Sequence, residues 1–301
     1  MRKIYALLLS LSFMFVLLHS KELTPILADN IKMCVNIVIP TFLFPLLIVE
    51  IFISFELYKP LVNCIKNILN NFIPITDNAI FVIFISLICG YPVALKACCT
   101  MYKNNTLGNF EFYKLIKICN NPSPAYLLVL VYPLIHTVGC SIFDLIICTY
   151  GSSLICFLLL YFCSINNQET DTNIIEKETI KNTPGINTIL FSVGQTLYII
   201  CINVVIFSTL KYCLYSEVIN NKLKSFISMS LEITSGILDY RFHSSKDAII
   251  AVVLIMFGGL SIVFQSICIL PNLNSIIEYL KGRLMVCIVS LILSCLFIAT
   301  K

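Results

Sequence analysis

Charge is what this 301-residue chain has least of. Only 12% of its residues are Asp, Glu, Lys or Arg, against roughly 25% in an ordinary soluble domain. Apolar residues make up 58%, and the mean hydropathy is +0.94. Catalytic signatures are missing as well. There is no His-Glu-x-x-His zinc motif, no Gly-x-Ser-x-Gly elbow and no P-loop, and the three histidines, His19, His136 and His243, are scattered. The expectation is a chain that is not an enzyme, with no cofactor, no metal and no nucleotide-binding motif of its own. A net charge of +4 without a basic run gives no reason to expect nucleic acid. The fifteen cysteines form no Cys-x-x-Cys spacing. Most, including Cys89, Cys98, Cys148, Cys156, Cys201 and Cys287, lie in apolar segments, where cysteine acts as a small hydrophobe.

What is present is length of apolar run. A bilayer crossing takes about 17 to 25 residues, and candidate segments are 31–58, 79–102, 125–138 running on into 142–165, 188–215, 225–239 and 248–270. Shorter ones occupy 4–19 and 284–299. The reading is an all-α, polytopic integral membrane protein in a lipid bilayer, with seven to nine hydrophobic segments, some re-entrant. Met1-Arg2-Lys3 ahead of the first segment also fits a secretory signal, but no small-x-small site follows among Ser20, Lys21 and Glu22. A retained first helix with a cytoplasmic N-terminus is therefore expected.

One polar interruption divides the chain. Between Ser164 and Asn187 it carries Glu169, Asp171, Glu176, Lys177, Glu178 and Lys181, then Pro184-Gly185. This sets an N-terminal membrane half (1–163), a hydrophilic loop (164–187) and a C-terminal half (188–301). Each half holds three irregular features in order. The first has Pro40 to Pro45, then Gly90-Tyr91-Pro92, then Asn120-Asn121-Pro122-Ser123-Pro124. The second has a polar-interrupted stretch at 203–208, then Glu232-Ile233-Thr234-Ser235-Gly236, then Gly258-Gly259-Leu260-Ser261. Transporters built from repeats place discontinuous helices at corresponding positions, with the solute between them, so the pattern reads as a degenerate internal repeat.

The polar residues at these breaks are the candidate site. Lys96 follows a helix break inside an apolar stretch, and a cation at membrane depth costs about 2.5 to 3.5 kcal/mol on insertion scales. It reads either as a charge facing a polar pathway or as a snorkelling side chain. Asn120, Asn121 and Ser123 read as neutral donors or as caps of the next helix, and Tyr91 as a stacking platform or as core. Glu232 is the strongest polar anomaly of the second half. It reads as a countercharge to Lys96, as a proton or cation site, or as a helix-end hydrogen bond. Thr234 back-bonds or binds; Gly236, Gly258 and Gly259, with Ser261 and Gln265, allow close helix approach or line the site.

In this order, Gly90-Tyr91-Pro92-Val93 with Lys96, Cys119-Asn120-Asn121 with Ser123-Pro124, Glu232 with Thr234 and Gly236, and Gly258-Gly259-Leu260-Ser261 with Gln265 resemble the YlbJ family of sporulation integral membrane proteins. The resemblance runs from about Ile37 to Arg283. It implies a transporter of endospore-forming bacteria that moves dipicolinic acid from the mother cell across the outer forespore membrane by alternating access. It also implies a gate-type membrane domain shared with nucleoside transporters. The alternatives are a nucleoside or other small-solute carrier, or a non-transporting member of a sporulation complex; partners would be dipicolinate, a second copy, or other sporulation membrane proteins. The chain departs from the family at Ala94 and Leu95, where Gly-Ala is usual, at Pro122, and at Val263 in place of a histidine. For a dianion leaving the cytoplasm, about 2.3 kcal/mol per charge per 100 mV amounts to about 4.6 kcal/mol, so a facilitator would suffice.

Overall fold

The computed structural model describes residues 14, 17–69, 75–165, 185–213 and 221–299. Most of the expected first segment (4–19) and of the polar loop (164–187) lies outside them. Among the described residues the secondary structure is helical throughout, with no strand.

Helix α1 runs from Ser20 to Ser54 and passes through a π turn at Cys34–Val38. Its cause is in the sequence. Pro40 has no N–H and its ring presses on the carbonyl four residues back, which is Asn36, inside that turn. A second π turn, Tyr126–Val131, stands in the same relation to Pro133. After α1 the chain turns at Glu56, in the left-handed region at φ 54°, into the amphipathic α2 (Lys59–Leu69), which Lys66 ties to Asp77 at 2.6 Å.

Helices α3 (Asp77–Ile88) and α4 (Val93–Lys103) were expected to form one crossing, 79–102, interrupted at Gly90. They fold back on each other instead. Asn78, at the start of α3, donates to the carbonyl of Thr106, just past α4, so the open ends of the two limbs meet. At 1.5 Å per residue, limbs of 12 and 11 residues reach about 18 and 16 Å, roughly half the 30 Å hydrocarbon core. This is hairpin 1, with Gly90-Tyr91-Pro92 at its tip. The chain returns along α5 (Asn109–Ile118), whose Glu111 accepts from both the N–H (3.0 Å) and the hydroxyl (2.6 Å) of Thr76 at the hairpin's base. It breaks at 119–123 and continues as α6 (Tyr126–His136). Helix α7 comprises Ile142–Ile146, a π turn at Ile147–Gly151, and Ser152–Ile165; it opens on a capping box of Ser141 with Asp144.

The second half begins with α8 (Ile186–Cys213), then α9 (Asn221–Leu231) and α10 (Ile233–Asp239). The stretch 225–239, expected as a span, is a second hairpin. A Cβ on Gly236 would lie 2.4 Å from Cα of Met229, and Ser228 and Asp239 meet side by side. A straight helix would hold residues 229 and 236 about 10 Å apart. Helices α11 (Ser245–Phe257) and α12 (Gly259–Ile269) form one interrupted rod, and α13 (Leu273–Phe297) closes the described chain.

Among the described residues, five helices are long and apolar enough to cross a membrane: Ser20–Ser54, Ile142–Phe162, Ile186–Lys211, Ser245–Ile269 and Leu273–Phe297. Their outward faces carry apolar side chains such as Phe44, Phe143 and Phe191, which is how a surface meets lipid rather than water. Inside, one cluster gathers α1, hairpin 1 and α5 with parts of α7, α8 and α13; another gathers α6, hairpin 2 and α11. The chain halves interlock, because α13 packs on α5 and α7, and α8 on α1.

Candidate functional site

The tip of hairpin 1 lies against the break between α5 and α6. Gly90 has φ 72°, and a Cβ there would sit 2.5 Å from the backbone nitrogen of Ser123. Both facts require glycine. Tyr91, joined to Pro92 by a cis peptide, donates its N–H to the carbonyl of Asn121 at 2.7 Å. Both ends of the Asn121 amide are bonded: Nδ2 donates to Ser86 at 2.9 Å, and Oδ1 accepts from Ser153 at 2.6 Å. Tyr150 donates to the carbonyl of Pro122 at 2.8 Å. Ser123 caps α6 by accepting from the N–H of Tyr126 at 3.2 Å. Asn121 and Ser123 therefore hold the break open, and neither amide of the Asn pair is the cap.

Hairpin 2 lies against the second break, at Gly258-Gly259. Glu232, 3% exposed, sits at the tip in an extended conformation; its two carboxylate oxygens accept from the N–H groups of Thr234 (3.1 Å) and Ser235 (2.6 Å), capping α10. Gly258 (φ 96°) and Gly259 (φ 62°) are both left-handed and interrupt the rod, and a Cβ at Gly259 would meet Ile233 and the carbonyl of Met229 at 3.4 Å. Here the glycine belongs to the break rather than to the tip.

Asn120 and Arg283 join the two breaks. Asn120 Nδ2 donates to Ser266 of α12 at 3.1 Å and to the hydroxyl of Tyr279 of α13 at 2.8 Å. Arg283, wholly buried on α13, donates Nη1 to the carbonyls of Asn120 (2.5 Å) and Met256 (3.3 Å) and Nη2 to that of Lys117 (3.0 Å). These oxygens stand at the C-terminal ends of α5 and α11, where helix dipoles present negative potential and carbonyls lack partners. A guanidinium, with its planar fork of donors, satisfies both ends at once. Sequence reasoning missed Arg283 because it began the last apolar segment at residue 284; extending that segment one turn would have made it an intramembrane cation.

Four buried polar atoms in this region have no hydrogen-bond partner among the described residues: the hydroxyls of Tyr91 and Tyr126, Oδ1 of Asn120 and Nε of Arg283. The two tyrosine rings lie 6.4 Å apart, and both phenols are within electrostatic range of Glu232. The fold thus gathers Gly90, Tyr91, Pro92, Asn120, Asn121, Ser123, Glu232, Gly258 and Gly259. Gly236 serves hairpin packing, Ser261 and Gln265 bond to each other along α12 at 3.3 Å, and Thr234 is exposed.

The expected Lys96–Glu232 pair is absent. Lys96 is paired with Glu50 of α1 at 3.4 Å, because its position one turn into α4 turns it toward α1. A cavity of about 390 Å³ between α1 and α8, lined by Ile31, Val35, Tyr198, Ile202 and Val205 among others, presents no polar surface and suits no polar solute. Among the described residues no group of His, Cys, Asp and Glu could hold a metal.

Comparison with known protein families, curated proteins and solved structures finds no match. The architecture stands on its own as that of an α-helical membrane protein, by the length and composition of its helices.

Proposed function

We propose that this chain is a membrane transporter for a small polar solute, held where two hairpin tips meet two helix breaks. Supporting it are four unpartnered buried polar atoms at these tips and breaks, on Tyr91, Tyr126, Asn120 and Arg283. Leaving a buried donor or acceptor unpaired costs about 1–3 kcal/mol, a cost that a hydrogen-bonding solute removes when it binds. Two units of hairpin plus broken helix, in the same order in each half, fit the internal repeat of a transporter with the solute between the repeats. The family resemblance supplies dipicolinate as the solute and the outer forespore membrane as the place.

A second reading, an uncharged solute such as a nucleoside, is favoured by the charge distribution. The cations near the breaks are engaged, Lys96 by Glu50, Lys117 by Glu278, Lys211 by Asp239 and Arg283 by three carbonyls, while Glu232 is an acidic residue at the tip of hairpin 2. Flux of labelled dipicolinate and of adenosine into proteoliposomes separates the two. The site itself is tested by Tyr91→Phe and Tyr126→Phe. Each removes an unpartnered hydroxyl, so stability should hold or rise while apparent solute affinity falls about tenfold. Unchanged affinity in both variants would remove the phenols from the site, and absence of flux for any small solute would sink the transport reading.

A further inference from the structure

In the loop between hairpin 2 and α11 the charges are sorted by direction. Residues 240–247 wrap around one carboxylate. Asp247 Oδ1 accepts from the hydroxyl of Tyr240 at 3.0 Å; Oδ2 accepts from the N–H groups of His243 and Ser244, both at 2.9 Å, and from the hydroxyl of Ser244 at 3.1 Å. Asp247 is 7% exposed, so the one acid of the loop is turned inward with both oxygens occupied. The bases turn outward: Arg241, His243 and Lys246 are all exposed. Arg241 and Lys246 meet no acid among the described residues, whereas Lys59, Lys66, Lys96, Lys117, Lys211 and Lys281 each do. The next acid in sequence, Asp239, is held by Lys211. The level of the loop follows from its neighbours. It leads straight into the rod Ser245–Ile269, which is long and apolar enough to cross a membrane, and Leu238 before it and Ile250 after it are exposed apolar side chains. The bases therefore stand where hydrocarbon gives way to headgroups.

We propose that this loop is a docking surface for the phosphate-bearing headgroup of an anionic phospholipid. Arg241 offers a planar fork that matches paired phosphate oxygens. Lys246 adds a point charge, and His243 keeps a ring N–H donor in either protonation state. A phosphate dissolved in water would meet the same donors, but the exposed apolar residues on both sides of the loop suit a ligand whose phosphate carries acyl chains. Because the bonds to Asp247 already fix the loop, binding has little backbone left to order. Tyr240 follows α10 directly, so a lipid held here anchors the outer end of hairpin 2 at the membrane surface.

The chain contains no tryptophan, so Leu238→Trp, at an exposed position, gives a single fluorophore in full-length protein in liposomes. The vesicles hold equal parts of phosphatidylglycerol and phosphatidylcholine, with bromine on the acyl chains of one lipid or of the other. Brominated phosphatidylglycerol should quench more strongly, and the two series together give the affinity of one lipid relative to the other. A basic side chain near an anionic surface is worth about fivefold. Arg241→Gln and Lys246→Gln should each cut the preference about fivefold, and together remove it. Lys281→Gln, on an exposed lysine of α13 paired with Glu278, should leave it unchanged. All three positions are exposed, so the variants are expected to fold as the parent does. Equal quenching by the two lipids in the parent, a preference that survives the double variant, or an equal loss in Lys281→Gln would overturn the proposal. So would loss of the preference on adding inorganic phosphate, compared with chloride at the same ionic strength, since that would assign the surface to a dissolved phosphate. The measurement needs no transported solute, so its outcome is independent of the transport reading.

Discussion

At the scale of single residues, Glu232 shows how a buried charge can be local. An acid in an apolar stretch invites a distant partner, yet both of its oxygens are taken by N–H groups two and three residues ahead. Those N–H groups would otherwise be orphans of the α10 terminus. Glutamine keeps one acceptor and turns an amine toward the other N–H. Glu232→Gln should therefore lower stability by about 0.5–2 kcal/mol, the usual worth of an N-cap, as measured by thermal unfolding in detergent. A loss far above that range would mean that Glu232 also neutralises a charge elsewhere. Lys96 carries the opposite lesson. Its partner Glu50 lies 46 positions back on another helix, and no local pattern indicates the pairing.

Elements depend on close approach at a few glycines. The tip of hairpin 1 rests on Ser123 only because residue 90 has no side chain, and hairpin 2 closes only because residue 236 has none. Gly90→Ala forces a Cβ into a backbone and also strains φ 72°. It should cost more than 2 kcal/mol, whereas Gly108→Ala, with nothing within 4 Å and an ordinary φ of −69°, should change stability by less than about 1 kcal/mol. Denaturation of the two variants side by side makes the comparison; equal losses would mean that tip and break do not meet as described. The proline-adjacent π turns belong to this scale too. They let α1 and α6 absorb Pro40 and Pro133 without ending.

For the molecule as a whole, Arg283 is the joint. It binds carbonyls at the ends of α5 and α11, one from each half, while neighbouring Gly282 lets α13 approach Lys117 closely. Lysine keeps the charge but has no fork to span three carbonyls. Arg283→Lys should destabilise the protein by about 3 kcal/mol, with hydrogen bonds to charged groups worth about 1.5–3 kcal/mol each. Limited proteolysis should then detect hairpin 2 and α11 loosening before α1 and α8. Uniform protection in the variant would show that the halves are held together elsewhere.

Much of this was legible in the sequence, for a physical reason: apolar run length, charge scarcity and backbone-breaking residues act locally. They marked the chain as helical and membrane-embedded, and they located the interruptions at Gly90-Tyr91-Pro92, Asn120 to Pro124, Glu232 and Gly258-Gly259, along with the polar residues beside them. Whether a break bends a helix, interrupts it or folds it back is decided by what packs across it. Hence 79–102 and 225–239 became hairpins while the rod containing Gly258 ran on. Charge pairing is a long-range matter in the same way. Lys96 and Ser192 meet Glu50, and Arg283 meets Asn120 and Met256, across separations that no periodicity encodes, because in an apolar interior a charge is satisfied by whichever group the fold brings within about 3 Å.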